Sequence, residues 1–127
     1  MPEAPYDQLG GDATVHRLVE RFYDRMDTLA EYDVIRRLHP ADLSGSREKL
    51  YLFLSGWLGG PQRYAAKYGH PMLRARHLPF AIGLAERDAW LACMQQAMHD
   101  CGIDAALATA LLDSLYKTAD WMRNKEG

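Results

Sequence analysis

Apolar residues recur along this chain with the 3.6-residue period of an α-helix, and period-two alternation is rare. Val15, Leu18, Val19, Phe22, Met26 and Leu29 form one stripe, which predicts a helix over residues 14–29. A second helix is predicted over 44–58, capped by Ser44 or Ser46, with Leu50, Phe53, Leu54, Trp57 and Leu58 on its buried side. Trp90, Cys93, Met94, Ala97, Met98 and Cys101 predict a third over 85–101, and Leu107, Leu111, Leu115, Ala119 and Met122 a fourth over 104–124. A shorter helix over 31–38 has to end at His39-Pro40, because the residue before proline avoids the helical region. The fold class is therefore all-α, carried by four helices of three turns or more.

With 127 residues, 48% of them apolar, the chain is expected to form one domain, 1–127, with a core that needs no staples. A formal charge of -2, with basic residues scattered singly among acids, argues against nucleic acid or an anionic membrane as a partner. Cys93 and Cys101 would stand about 12 Å apart along one helix, too far for a disulfide, and read as small buried hydrophobes. The N-terminal stretch MPEAPYDQLGG has neither the basic start nor the apolar core of a secretory signal, and no apolar run is long enough to span a bilayer. A cytoplasmic location is expected.

One segment does not fit a plain bundle. Residues 59–84 hold several proline and glycine breaks yet stay rich in Tyr, Arg and His, and connections of that length are functional or disordered. Tyr64, Tyr68, Leu73, Leu78 and Phe80 argue against disorder. Within it, MLRARHLPFAIG sets His77 between arginines and an apolar run. An imidazole can ligate a metal or act as an axial ligand of haem iron. Haem also needs an apolar slot, which Met72, Leu73, Leu78 and Phe80 could line, and cations such as Arg74 or Arg76 for its carboxylates. Taken alone, His77 could equally be a lone histidine satisfied by a backbone carbonyl. No CxxC, HExxH or HxxxH spacing supports zinc.

The run GGPQRYAAKYGHPMLRARHLPF, with Trp90 thirteen residues after His77, resembles the truncated haemoglobin family, group II in particular. Gly10-Gly11, the Phe22-Tyr23 pair and Gly59-Gly60 extend the resemblance over nearly the whole chain. It implies a truncated globin fold, two antiparallel helix pairs (2-over-2) around a haem b, with His77 as the proximal iron ligand. On the distal side it implies Tyr23 and Trp90 as donors to bound ligand and His39 at the corner facing the haem edge, a donor or a sixth ligand. Ser46 and Leu50 fall at the two distal-helix positions. Leu50 cannot form a hydrogen bond, which departs from relatives with a polar residue there. Phe22, Phe53, Leu54, Leu73, Phe80 and Met94 are the expected haem wall. Arg76 is the first choice for a propionate and Arg74 the second, although 74 rather than 76 shares a helical face with 77. His16, His70 and His99 receive no role at iron; His70, before Pro71, is expected to shape a turn.

The implied function is binding of O2 and other diatomic ligands (CO, NO) for storage, carriage or sensing. The alternative is a haem redox enzyme, an NO dioxygenase or a peroxidase-like activity, which would need a separate reductase because no such domain is attached. A monomer or weak homodimer is expected.

Overall fold

A hydrophobic stripe on each of four helices must be covered by another helix, and in the computed structural model they cover one another. Residues 3–126 are described; Met1 and Pro2, which open the stretch read for a leader, lie outside them. Among the described residues there are helices and no strands. The order is α1 (Pro5–Leu9), α2 (Asp12–Thr28), a 3-10 turn (Ala30–Tyr32), α3 (Asp33–Arg36), α4 (Ser44–Trp57), α5 (Arg63–Tyr68), α6 (Leu73–His77), α7 (Leu84–Asp100) and α8 (Ala105–Trp121). None of the helices is long and apolar enough to cross a membrane among the residues described.

The long helices fall within two or three residues of their predicted bounds at each end. α2 packs against both α4 and α7, and α7 packs along α8, giving two helix pairs joined through α2 and α7. The turn between α7 and α8 is short, so those two run antiparallel. Gly102 takes a φ of 69° there, and the Asp104 carboxylate accepts from Leu107 N to cap α8. The α2 stripe lies at the centre: Val15, Leu18, Val19, Phe22 and Met26 are all essentially inaccessible. Cys93, Met94, Ala97 and Met98 from α7, Leu54 and Leu58 from α4, and Leu111 and Leu115 from α8 close over them. Burying a side chain the size of Phe22 is worth about 2–3 kcal/mol, so this seam holds the two pairs together. Cys93 belongs to it as expected. Its thiol donates to the Phe22 carbonyl at 3.2 Å, and burial pushes its pKa up to about 12.

Three local expectations need correction. The cap of α4 is neither Ser44 nor Ser46: the Asp42 carboxylate accepts from Ser44 N (2.9 Å) and Ser44 Oγ (2.8 Å). The 31–38 helix is a 3-10 turn followed by a single turn of α-helix, and turn hydrogen bonds carry it on to His39. Finally, the short α1 had no predicted counterpart. Its Tyr6 ring lies so close to Gly60 that a Cβ there would stand 2.5 Å from a ring carbon. That close approach, together with Tyr6 N donating to Leu58 O, is what the Gly59-Gly60 break makes room for.

Candidate functional site

The stripe on α4 is not uniformly covered. Leu54 and Leu58 are core, whereas Leu50, Phe53 and Trp57 are only half-buried. On α7 the same contrast separates the half-buried Trp90 from the sealed Cys93 and Met94. Across from them, Met72, Leu78, Phe80 and Leu84 are exposed by 38–56%, and Leu73 is half-buried. Large side chains so exposed around one short helix form an apolar surface that the protein itself leaves uncovered.

His77 ends α6, inside that surface. Its Nδ1 lies 2.6 Å from the carbonyl of Leu73, four residues back. A carbonyl has no proton to give, so Nδ1 carries the hydrogen and Nε2 presents a bare lone pair. The lone-histidine reading and the ligand reading thus describe the same contact, since a carbonyl partner on one nitrogen is what orients the other. Among the described residues no three His, Cys, Asp or Glu side chains gather to hold a bare metal ion. A ligand of His77 must therefore bring its own remaining coordination, as a porphyrin does.

The second face is built on Phe22. Its ring, sealed in the core, touches Tyr23 (centroids 5.0 Å) and Trp90 (5.3 Å), and Tyr23 in turn meets His39 edge-on at 5.8 Å. Tyr23 and His39 therefore adjoin, and Trp90 joins them through Phe22. Tyr23 is 5% exposed, and burial holds its hydroxyl well above the usual tyrosine range. The guanidinium of Arg47, itself paired with Glu20 and Asp24, lies 5.8 Å above its ring and opposes that rise. No polar side-chain atom is both buried and unpartnered among the described residues, and the Tyr23 hydroxyl has no protein partner, so it opens onto accessible space. His39 repeats the His77 arrangement, with Nδ1 2.8 Å from Ile35 O. Burial lowers its pKa; the Ile35 contact opposes this, and Arg36 and His77 add to the lowering. Ser46 and Leu50 sit half-buried one turn apart on α4.

The expected wall residues divide. Phe53, Leu73 and Phe80 present accessible apolar surface, whereas Phe22, Leu54 and Met94 are at most 2% exposed and stand behind the wall. The arginines divide too. Arg74 Nη1 donates to the carbonyls of Trp121 (2.5 Å) and Arg123 (3.1 Å), and its guanidinium stacks 5.1 Å from the Trp121 ring. It serves as the cation at the C-terminus of α8, which has no basic residue of its own in its last turn. Arg76 has no carboxylate partner among the described residues and lies 5.8 Å over Tyr64. Sequence reasoning missed the neighbours of that cation. Tyr64 meets Tyr68 at a tilt (centroids 5.1 Å), and Tyr68 carries Lys49 at 5.9 Å, so Lys49 and Arg76 flank one pair of tyrosines. Lys49 falls three residues after Ser46 and four before Phe53, a spacing that placed it near the site. His70 shapes a turn, as expected, its Nδ1 accepting from Met72 N at 3.0 Å. A groove of about 530 Å³ between residues 70–73 and α8 carries neither His39 nor His77 on its walls.

An uncovered apolar surface, two bare imidazole nitrogens and a pair of cations suit a flat apolar group with a ligating centre and an anionic edge. Comparison with known proteins agrees. The model of the family described as bacterial-like globin matches residues 4–124. A group 2 truncated hemoglobin of Bacillus subtilis is 40% identical over 122 residues, 96% of this chain and 89% of that protein. The group II 2-on-2 hemoglobin of Agrobacterium tumefaciens superposes with a TM-score of 0.94 at 47% identity, covering 99% of this chain and 97% of that one. The cold-adapted truncated hemoglobin of Pseudoalteromonas haloplanktis TAC125 gives 0.93 at 40% identity, over 97% and 99%. With 2-over-2 architecture and sequence agreeing along nearly its full length, the chain belongs to the bacterial-like globins, as a truncated haemoglobin of group II.

Proposed function

We propose that this protein binds O2 and other diatomic ligands, CO and NO among them, at the iron of a haem b ligated by His77. Haem-based ligand binding comes with the globin family; the residue roles are our reading. The observation that carries it is the Nδ1 contact of His77 with Leu73 O, which leaves Nε2 bare inside an uncovered apolar surface. When bound, the haem supplies the iron centre at which a diatomic ligand is reversibly held.

The chain's own residues do the rest. Leu73 O holds the proximal ring in one tautomer. Leu50, Phe53, Leu73 and Phe80 exclude water from the ring faces, and Arg76 with Lys49 receives the carboxylates at the edge. Tyr23 keeps its proton throughout the working pH range and donates it towards the ligand, and the Trp90 indole N–H does the same from the other side. Two donors favour retention of ligand over fast carriage. They also favour the second reading, redox turnover of NO or peroxide with electrons from a separate reductase, because a positioned donor assists bond cleavage.

The test is the absorption spectrum of purified protein, ferric, then ferrous, then under CO, beside that of His77→Ala. The wild type is expected to show a Soret band that shifts at each step, and the variant to lose haem or hold it loosely. Normal haem content with an unchanged ferrous spectrum in His77→Ala would remove the assignment. Turnover of NO or peroxide with a supplied electron donor would move the weight to the second reading.

A further inference from the structure

We propose that Asn124 is a positioning residue for His77: its side-chain amide, held in the tail after α8, fixes the angle at which the proximal imidazole is presented. This rests on the reading of His77 as the iron ligand.

α6 is five residues long and has no buried residue, so neither its own hydrogen bonds nor its packing can fix its rotation about its axis. The restraint comes from the tail. Arg74, in the first turn of α6, donates to the carbonyls of Trp121 and Arg123. At the other end, the His77 carbonyl is one of those a helix leaves without an internal partner. It accepts from Phe80 N at 3.0 Å and from Asn124 Nδ2 at 3.3 Å. The same Nδ2 donates to Phe80 O at 2.7 Å, while Oδ1 accepts from Ile82 N at 2.9 Å. The backbone closes the joint, with Asn124 N and Lys125 N donating to Ile82 O at 2.9 and 3.1 Å.

The amide can sit only one way round, because its oxygen meets an N–H and its nitrogen meets two carbonyls. Asparagine is chemically specified here. Aspartate lacks the two donors, leucine would leave Ile82 N and Phe80 O unpaired and the His77 carbonyl with Phe80 N alone, and glutamine carries the amide one methylene too far out. Rotation of α6 that would swing the His77 ring pulls the His77 carbonyl off Nδ2, so the clamp resists the motion that changes how Nε2 points. Groups that orient a metal ligand from behind alter affinity by roughly 10- to 100-fold when removed.

The experiment compares haem-loaded wild type with Asn124→Ala, Asn124→Asp and Asp104→Ala. The readouts are the iron–histidine stretching band of the ferrous, ligand-free protein by resonance Raman and the rate of haem transfer to an excess apoglobin acceptor. Both Asn124 variants are expected to broaden the band, move it to lower frequency and speed haem loss by about tenfold. Asn124→Asp keeps the acceptor for Ile82 N, loses the donors to His77 and Phe80 and turns a carboxylate oxygen towards those carbonyls, and it carries the comparison if Asn124→Ala does not fold. Asp104→Ala removes the α8 cap, far from the clamp, and is expected to lower thermal stability with the band unmoved. A wild-type band in the Asn124 variants, whatever their stability, would overturn the positioning role. If His77→Ala loses haem in the same series, the failure is the clamp's alone; if it keeps an unchanged ferrous spectrum, the ligand assignment has failed instead.

Discussion

Replacing Tyr23 with phenylalanine isolates the distal donor from the fold. The ring is 5% exposed and packs edge-on between Phe22 and His39, contacts that phenylalanine keeps in full. The hydroxyl bonds no protein group among the described residues, so its loss orphans no partner there, and stability should stay within about 0.5 kcal/mol of wild type. Ligand dissociation is another matter. A phenol donating to a ligand that has gained partial negative charge contributes about 1.5–3 kcal/mol, the range for hydrogen bonds to charged groups. At about 1.4 kcal/mol per factor of ten, that becomes roughly 10- to 100-fold in the O2 off-rate. Burial acts in the same direction, since it keeps the hydroxyl protonated at any working pH and lowers the local dielectric. The assay is stopped-flow displacement of O2 by excess CO, with thermal unfolding run in parallel. An off-rate within about twofold of wild type, with stability unchanged, would refute the reasoning and leave Trp90 as the donor.

Two further substitutions test the frame. The Asp100 carboxylate receives Arg25 through both oxygens and Arg21 through one, tying the end of α7 to α2. Those bonds to Arg25 and Arg21, against a smaller desolvation effect, hold its pKa well below 3.8. Because the folded pKa is depressed, the contribution is complete above about pH 5 and fades as the pH falls below the unfolded value. Asp100→Asn is expected to cost about 1 kcal/mol at pH 7, Arg21 being half-exposed and screened, to keep most of that cost at pH 3, where the folded carboxylate is still ionised, and to lose it progressively at lower pH; a cost already gone at pH 4 would refute the ion-pair account. Gly60→Ala should cost about 1–3 kcal/mol, because its Cβ would meet three atoms of the Tyr6 ring at 2.5–2.7 Å. Thermal unfolding reads that loss, while O2 kinetics should be unmoved, α1 being remote from both histidines.

What the sequence made legible follows from what periodicity can report. A stripe repeated over three turns or more locates a helix, so the four long helices were readable almost to their ends. It does not say which part of a stripe faces protein and which faces something else. Leu50 and Phe53 read like Leu54 and Leu58, and Trp90 like Cys93, until burial separated them. The family resemblance supplied that division for Tyr23, Trp90 and His39. The contacts of Arg74 were hidden for a different reason: its partners are the carbonyls that end α8, forty-seven and forty-nine residues away, and no local pattern announces them. Asn124 was invisible on the same ground, since an asparagine near a helix end ordinarily reads as a stop signal. Lys49 was within reach of helical spacing, but only Tyr64 and Tyr68 give it a place at the site.

The two histidines share one construction, and it narrows what His39 can do. Each sits at the end of a short helical turn with Nδ1 on the carbonyl four residues back, Ile35 for His39 and Leu73 for His77. The carbonyl assigns the proton to Nδ1 in both, so both expose Nε2 as a lone pair. For His39, burial lowers the pKa, with Arg36 and His77 acting in the same direction, so the neutral form dominates at neutral pH. A neutral ring with its only hydrogen already committed has none to give a bound ligand. On the proposed reading, donation to the ligand then falls to Tyr23 and Trp90, with His39 acting as an acceptor. The ring beside it is that of Tyr23, with centroids 5.8 Å apart. The Tyr23 hydroxyl does not bond His39 in this structure; were it to turn towards the His39 lone pair it would be drawn away from a bound ligand, which would oppose ligand retention. Removing the acceptor frees the donor, so His39→Phe should slow O2 release where Tyr23→Phe speeds it. The opposite signs of those two effects, read in the same displacement assay, rest on the Ile35 contact together with the closeness of Tyr23; a faster off-rate in His39→Phe would mean that the imidazole donates after all.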